Sequence, residues 1–214
     1  MDFITHQYQQ MTPEEQNDFL QLIQAQRIKF TPPPTETLQE RVEWALKPWP
    51  NGLTYTGISK QEREQAKIQE TEFGQRVIGK NVKQWTTALG EGLVYDVLTT
   101  QGYHPRKPAI KSGVLPDWET EEFMVEVKTR TWTTTGTAGE KVLGTMYKYA
   151  EVPRIYNKPL KIICVGYQEW ENTHGKLSNR IFGTLSEEKQ RFLELAKSLN
   201  IEYVPFSTFY QSSK

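Results

Sequence analysis

Three side chains close together in this chain have the types and spacing for phosphodiester chemistry: Asp117 in Leu115-Pro116-Asp117-Trp118, then Glu126 and Lys128 in Glu126-Val127-Lys128. Residues 123–128 read as a strand, on which alternate side chains share a face. Glu126 and Lys128 therefore point one way, and Val125 and Val127 point the other way into apolar packing. If the segment carrying Asp117 pairs with this strand, two carboxylates converge, and paired carboxylates seat a hard divalent cation. Such a cation neutralises charge building on a phosphate and acidifies a bound water, while a neighbouring ammonium orients that water or stabilises the pentacovalent phosphorane. A solvated hairpin with an ordinary Glu/Lys pair is the other reading of an isolated Glu-x-Lys, so the context decides.

That context comes from periodicity and punctuation. The first eighty residues read as helical, over 12–30, 35–46 and 59–76, with breaks at Pro32-Pro33-Pro34 and Pro48-Trp49-Pro50-Asn51-Gly52. They carry no catalytic spacing, which makes residues 1–80 a helical extension that contacts a second copy or embraces a duplex, and residues 81–214 the core. In the core, a helix over 85–100 presents Trp85, Leu89, Leu93 and Val97 on one side. Strands follow at 103–110, 114–118 and 123–128, turning at Ser112-Gly113 and 119–122. A helix at 140–149, a buried strand at 160–167, a helix at 186–199 and a strand at 201–206 complete the order α-β-β-β-α-β, then α-β. The fold class is α/β, a mixed β-sheet flanked by helices.

Composition narrows the setting. The 214 residues are 36% hydrophobic and carry 26 basic and 26 acidic side chains, so a packed core is available and net charge speaks neither for nor against nucleic acid. No run approaches the roughly 20 apolar residues of a membrane span, and the N-terminal residues lack a signal-peptide pattern. A cytoplasmic protein with no membrane partner is expected, in a bacterial cell or a virus-infected host cell. The single Cys164 lies in an apolar run and is expected in the core. His6, His104 and His174 are too scattered to ligate zinc, and Trp118, Trp132 and Trp170 are expected to pack.

Pro116-Asp117 followed by Glu126-Val127-Lys128, inside this element order, resembles the PD-(D/E)xK nuclease superfamily over about half the chain. The resemblance implies a restriction-endonuclease-like core in which Asp117 and Glu126 bind Mg²⁺, the Val127 carbonyl joins them, and Lys128 positions the attacking water. It also implies an acidic residue on the preceding helix, the place of Glu91 in Leu89-Gly90-Glu91-Gly92. Glu91 falls at the border of that helix's apolar stripe, where a plain surface glutamate would also fall, and Asp96 interrupts the stripe. From Lys128 through Tyr149 the chain looks like type II restriction endonucleases of bacteria and algal giant viruses. That likeness implies a Mg²⁺-dependent enzyme cutting double-stranded DNA at a short palindrome. A homodimer would bring two sites to the two strands. A repair, recombination or structure-specific nuclease of the superfamily is the alternative, and a DNA-binding module with a vestigial metal site is another.

DNA contacts are expected from Arg130, from the hydroxyl-rich stretch holding Thr133, Thr134, Thr135 and Thr137, and from Lys141 and Lys148, seven residues apart on one helix. Lys107, beside Arg106 and Lys111, adds a basic cluster suggestive of DNA contact, although such clusters are more often plain surface. Arg130 can instead pair with Glu119 or Glu121.

Overall fold

The computed structural model describes residues 8–25, 36–47, 59–78, 84–133 and 141–211. The proline-rich breaks, the end of the first expected helix, and Thr134, Thr135 and Thr137 lie outside the described residues. The N-terminal region contains α1 (Pro13–Ala25), α2 (Leu38–Leu46) and α3 (Lys60–Ile78), followed by α4 (Trp85–Thr100). Each of the first three opens on the same local device. A Ser or Thr hydroxyl accepts the amide three residues on, and a Glu at that position accepts the cap residue's own amide: Thr12/Glu15, Thr37/Glu40 and Ser59/Glu62, with the return bond 2.7 Å in each.

The sheet is mixed and four-stranded, in the order β1 (Trp118–Glu119), β2 (Met124–Arg130), β3 (Leu160–Gly166), β4 (Ile201–Pro205). β1 is antiparallel to β2, and β2, β3 and β4 are mutually parallel. The expected strand at 103–110 is reduced to a bridge between Arg106 and Glu119, and that at 114–118 keeps only its last residue in β1. Pro105, Pro108 and Pro116 explain the shortening, because each lacks the amide a ladder needs. The remaining elements are α5 (Leu143–Lys148), α6 (Val152–Tyr156), α7 (Tyr167–His174), α8 (Glu187–Ser198) and α9 (Phe206–Gln211). Tyr167 starts α7 where it was expected to end a strand, and Ser186 takes the N-cap of α8 without its hydroxyl bonding an amide.

Both faces of the sheet are covered. Val125, Val127, Ile163 and Val165 pack with Leu89, Leu93 and Val97 of α4, while Met124, Ile162 and Cys164 pack with Met146, Tyr149, Val152 and Ala196. The division expected at residue 80 does not divide this core. Val42, Trp44 and Ala45 of α2 and Phe73 and Val77 of α3 are buried in the same cluster as α4 and β2. Asp96, the interruption in the α4 stripe, is met by Arg41 of α2 at 2.5 Å.

Gly90 sets how closely α4 lies on β2. A Cβ there would stand 1.6 Å from Thr129 Oγ1 and 2.7 Å from Thr129 Cβ. Gly90→Ala is therefore expected to cost about 2–3 kcal/mol by overpacking, partly recovered in the double variant with Thr129→Ala. Urea denaturation would read this, and a Gly90→Ala variant as stable as wild type would overturn the packing argument.

Candidate active site

β2 brings Glu126 and Lys128 to one face, as the alternation requires, but that face is roofed by α5 and α6 rather than washed by solvent. Glu126 is only 3% exposed. Its Oε1 accepts from Lys128 Nζ at 2.5 Å, and its Oε2 is buried with no hydrogen-bond partner. Carboxylates are seldom buried this deeply, and an orphaned oxygen on one is costlier still, so packing alone does not account for this arrangement.

Asp117 ends the segment leading into β1 and turns back onto β2. Its Oδ2 accepts the Val127 amide at 2.7 Å, continuing the ladder with a side chain where the backbone of β1 stops. A residue's N–H and C=O point to the same side of a strand, so the Val127 carbonyl also opens on the Asp117 side. Burial pushes the Asp117 carboxyl up to about 7, and the charges of Glu126 and, more weakly, Glu91 add to it against the pull of the Val127 amide and Lys128. Two acids and one ammonium thus share a partly desolvated corner.

Glu91 stands close enough to Asp117 to be felt electrostatically, and its Oε2 accepts from Lys107 Nζ at 2.8 Å. Lys107 also lies 4.0 Å above the Trp118 ring, whose Nε1 donates to the Glu91 carbonyl. Its charge is met inside the protein, as is that of Arg106 by Glu119 at 3.2 Å, so the expected basic cluster is tied to local acids.

Other expected DNA contacts turn inward. Arg130 is buried, paired with Glu171 and lying over the Tyr167 ring, which excludes both its exposure to a duplex and the pairing with Glu119 or Glu121. Thr133 gives its amide and its hydroxyl to Glu70, at 3.0 and 2.6 Å. Lys141 is exposed in a 3-10 turn that precedes α5, so it and Lys148 do not share one continuous α-helix. Lys148 instead donates to the Tyr149 hydroxyl at 2.9 Å.

Tyr149 has no role in the sequence reading, yet it stands at this corner. Burial and then the charge of Glu126 push its phenol well above the ordinary range. Its only signal in the sequence was the Tyr-Lys-Tyr run at 147–149, and nothing local linked that run to Glu126, 23 residues earlier.

The set fits a divalent cation in one specific sense: Asp117, Glu126 with its unpartnered Oε2, and the Val127 carbonyl are oxygen donors on one edge. Among the described residues no group of three or more His, Cys, Asp or Glu side chains closes on a common point. No helix of the described residues is long and apolar enough to cross a membrane. No family model matches the chain, and no curated protein or solved structure matches it.

Proposed function

We propose that the protein is a Mg²⁺-dependent endonuclease that hydrolyses phosphodiester bonds in double-stranded DNA, of the restriction type, acting in the cell interior as a homodimer on a short palindrome. The observation that carries the reading is the buried Glu126, with one oxygen on Lys128 and the other unpartnered, beside Asp117 on a covered sheet face. Asp117, Glu126 and the Val127 carbonyl would hold the cation. When bound it would draw charge from the phosphate and acidify a water.

The rest belongs to the chain. Lys128 is 31% exposed at its side chain while Glu126 is 4% exposed, so the buried carboxylate anchors an ammonium on a side chain that still reaches solvent, where it could meet a water or a phosphate oxygen. Tyr149 and Lys148 bring a second positive charge toward Glu126, which lessens the repulsion between two carboxylates and an incoming phosphate.

Long duplex DNA incubated with the protein in Mg²⁺ is expected to yield discrete fragments, none in chelator, and fragments about a hundredfold slower with Lys128→Ala. Random degradation or preference for branched DNA would replace the restriction assignment with a repair-type nuclease. Uncut DNA would overturn the enzyme reading. Sedimentation showing a monomer both free and on DNA would remove the homodimer.

A further inference from the structure

The segment that delivers Asp117 forms an exposed lip with a braced shape. Residues 109–113 and Leu115 are exposed, while Pro108 and Pro116 at its two ends are buried. Lys111 and Val114 bond each other across it, N to O at 3.4 and 3.0 Å. Ser112 and Gly113 reverse the chain at φ 51° and 76°, the left-handed pair of a tight hairpin turn. Tyr156 of α6 fixes the base: its hydroxyl donates to the Ala109 carbonyl at 2.7 Å, and the Val114 carbonyl stands 3.1 Å away. Lys111 Nζ lies 4.7 Å from the centre of the same ring.

The outward face of the lip carries apolar side chains that no packing uses. Lys111 turns inward onto Tyr156 and Val114 packs against the cluster beneath α5 and α6, so by alternation the next pair, Ile110 and Leu115, faces away. These two are 69% and 43% exposed and belong to neither core cluster. Residues opposite each other across such a turn hold their Cβ atoms about 5 Å apart, which makes a single edge of two branched side chains. One exposed leucine is ordinary, but a paired apolar edge held out of the core by a braced turn marks a contact surface.

The charges beside that edge indicate what it meets. Lys111 and Lys148 form no ion pair among the described residues. Lys111 lies over a neutral ring, and Lys148 gives one proton to the neutral Tyr149 hydroxyl and keeps two, so both charges remain unneutralised. The Tyr149 hydroxyl in turn reaches the Leu115 carbonyl at 3.5 Å, which ties Lys148 to the lip. Leu115 is joined to Asp117 through Pro116 alone, so their α-carbons lie within about 7 Å of each other. A DNA strand advances about 3.4 Å per nucleotide, and that reach spans one or two nucleotides. An apolar edge flanked by two ammoniums suits a polyanion with stacked bases between its phosphates, and leucine and isoleucine are among the side chains that part such stacks from the minor groove.

We propose that this lip is a DNA wedge: Ile110 and Leu115 enter the minor groove one or two nucleotides from the phosphate held at Asp117 and part a base step, while Lys111 and Lys148 meet neighbouring phosphates. Its placement beside a cut phosphate rests on the nuclease reading; its insertion into duplex DNA does not.

The full-length Ile110→Gln/Leu115→Gln variant tests this against wild type, with folding checked by its melting curve. Closed circular plasmid is relaxed by a topoisomerase in chelator at saturating protein, and the change in linking number reports unwinding. Duplex affinity is measured by fluorescence anisotropy over a range of salt. Wild type is expected to unwind the plasmid and the variant to lose that effect, binding duplex about tenfold more weakly with its salt slope unchanged. Lys111→Gln should do the reverse, keeping the unwinding and lowering the slope of log affinity against log salt by about 1. Should the double variant fail to fold, Ile110→Gln alone, at the most exposed position, is expected to unwind less than wild type. Equal unwinding and affinity in wild type and the apolar variants would overturn the wedge, and cleavage by that wild type in Mg²⁺ would leave the nuclease reading standing. A wild type that unwinds the plasmid through these residues but never cuts would sustain the wedge and sink the nuclease. Loss of self-association in the variant on sedimentation, with unwinding unchanged, would assign the edge to a second copy and overturn the proposal.

Discussion

Asp117→Asn is expected to abolish Mg²⁺-dependent DNA cleavage, by about a thousandfold or more, and at the same time to make the protein more stable above neutral pH. Both effects come from the same desolvated carboxyl, whose pKa rises from 3.8 to about 7 on folding. Below 3.8 the group is protonated in both states and costs folding nothing. Between 3.8 and about 7 the unfolded chain releases its proton while the folded protein keeps it, so stability falls with rising pH, and above about 7 the full penalty is present. Asparagine carries no such penalty, and the variant should gain on the order of 2 kcal/mol at pH 8 in chelator. Urea denaturation at pH 4 and pH 8 checks this: the two proteins should be nearly equally stable at the lower pH and diverge at the higher. Added Mg²⁺ should raise the melting temperature of wild type at pH 8 and leave Asp117→Asn unmoved, because only a cation bound by the folded state stabilises it. Equal stabilities at pH 8, or equal Mg²⁺ responses, would show that Asp117 is not held as an uncompensated carboxylate.

Glu70→Ala is expected to have the largest effect on folding. Glu70 is fully buried on α3 and gathers four donors from two other parts of the chain. Trp44 Nε1 of α2 and the Trp132 amide reach Oε1 at 3.1 and 2.8 Å, and the Thr133 amide and hydroxyl reach Oε2. A fifth bond, Trp132 Nε1 to the Trp44 carbonyl at 2.7 Å, closes the knot. Alanine would leave these donors buried and unpaired, at a cost of about 3–5 kcal/mol, a large part of a domain's whole stability. Glu70→Gln keeps one accepting oxygen and turns an amide group toward two donors, and an intermediate loss is expected. Chemical denaturation of both variants reads the order. A loss below about 1 kcal/mol for Glu70→Ala would mean that the N-terminal helices are not anchored through this residue.

The elements and the carboxylate corner differ in how much of them could be read from the chain. Helix starts were largely legible, since a capping box involves only neighbours: the starts expected at 12 and 59 carry the boxes Thr12/Glu15 and Ser59/Glu62, and the one expected at 35 is capped two residues later, at Thr37/Glu40. The bounds of the helix at 85–100 and the placement of Glu126 and Lys128 on one face of β2 follow from periods of 3.6 and 2, which are equally local. The prolines at 105, 108 and 116 are equally local, and each removes an amide from the strands expected at 103–110 and 114–118.

The rest needed the tertiary structure. A strand's alternation says which side chains share a face but not what covers that face, so nothing near Glu126 indicated that Tyr149 and Lys148 would roof it. A charge run says nothing of its partners, and Arg130 and Lys107 were taken by Glu171 and Glu91, 41 and 16 residues away. Glu70 is one of several acids in the helix expected over 59–76, and only the docking of α3 under Trp132 and Thr133 drew it into the interior. The chain by itself therefore determined the elements and the face that bears the carboxylates, because those depend on contacts within a few residues. Packing between distant segments decided which charges are buried and which are neutralised, because each is set by a partner that no local spacing encodes.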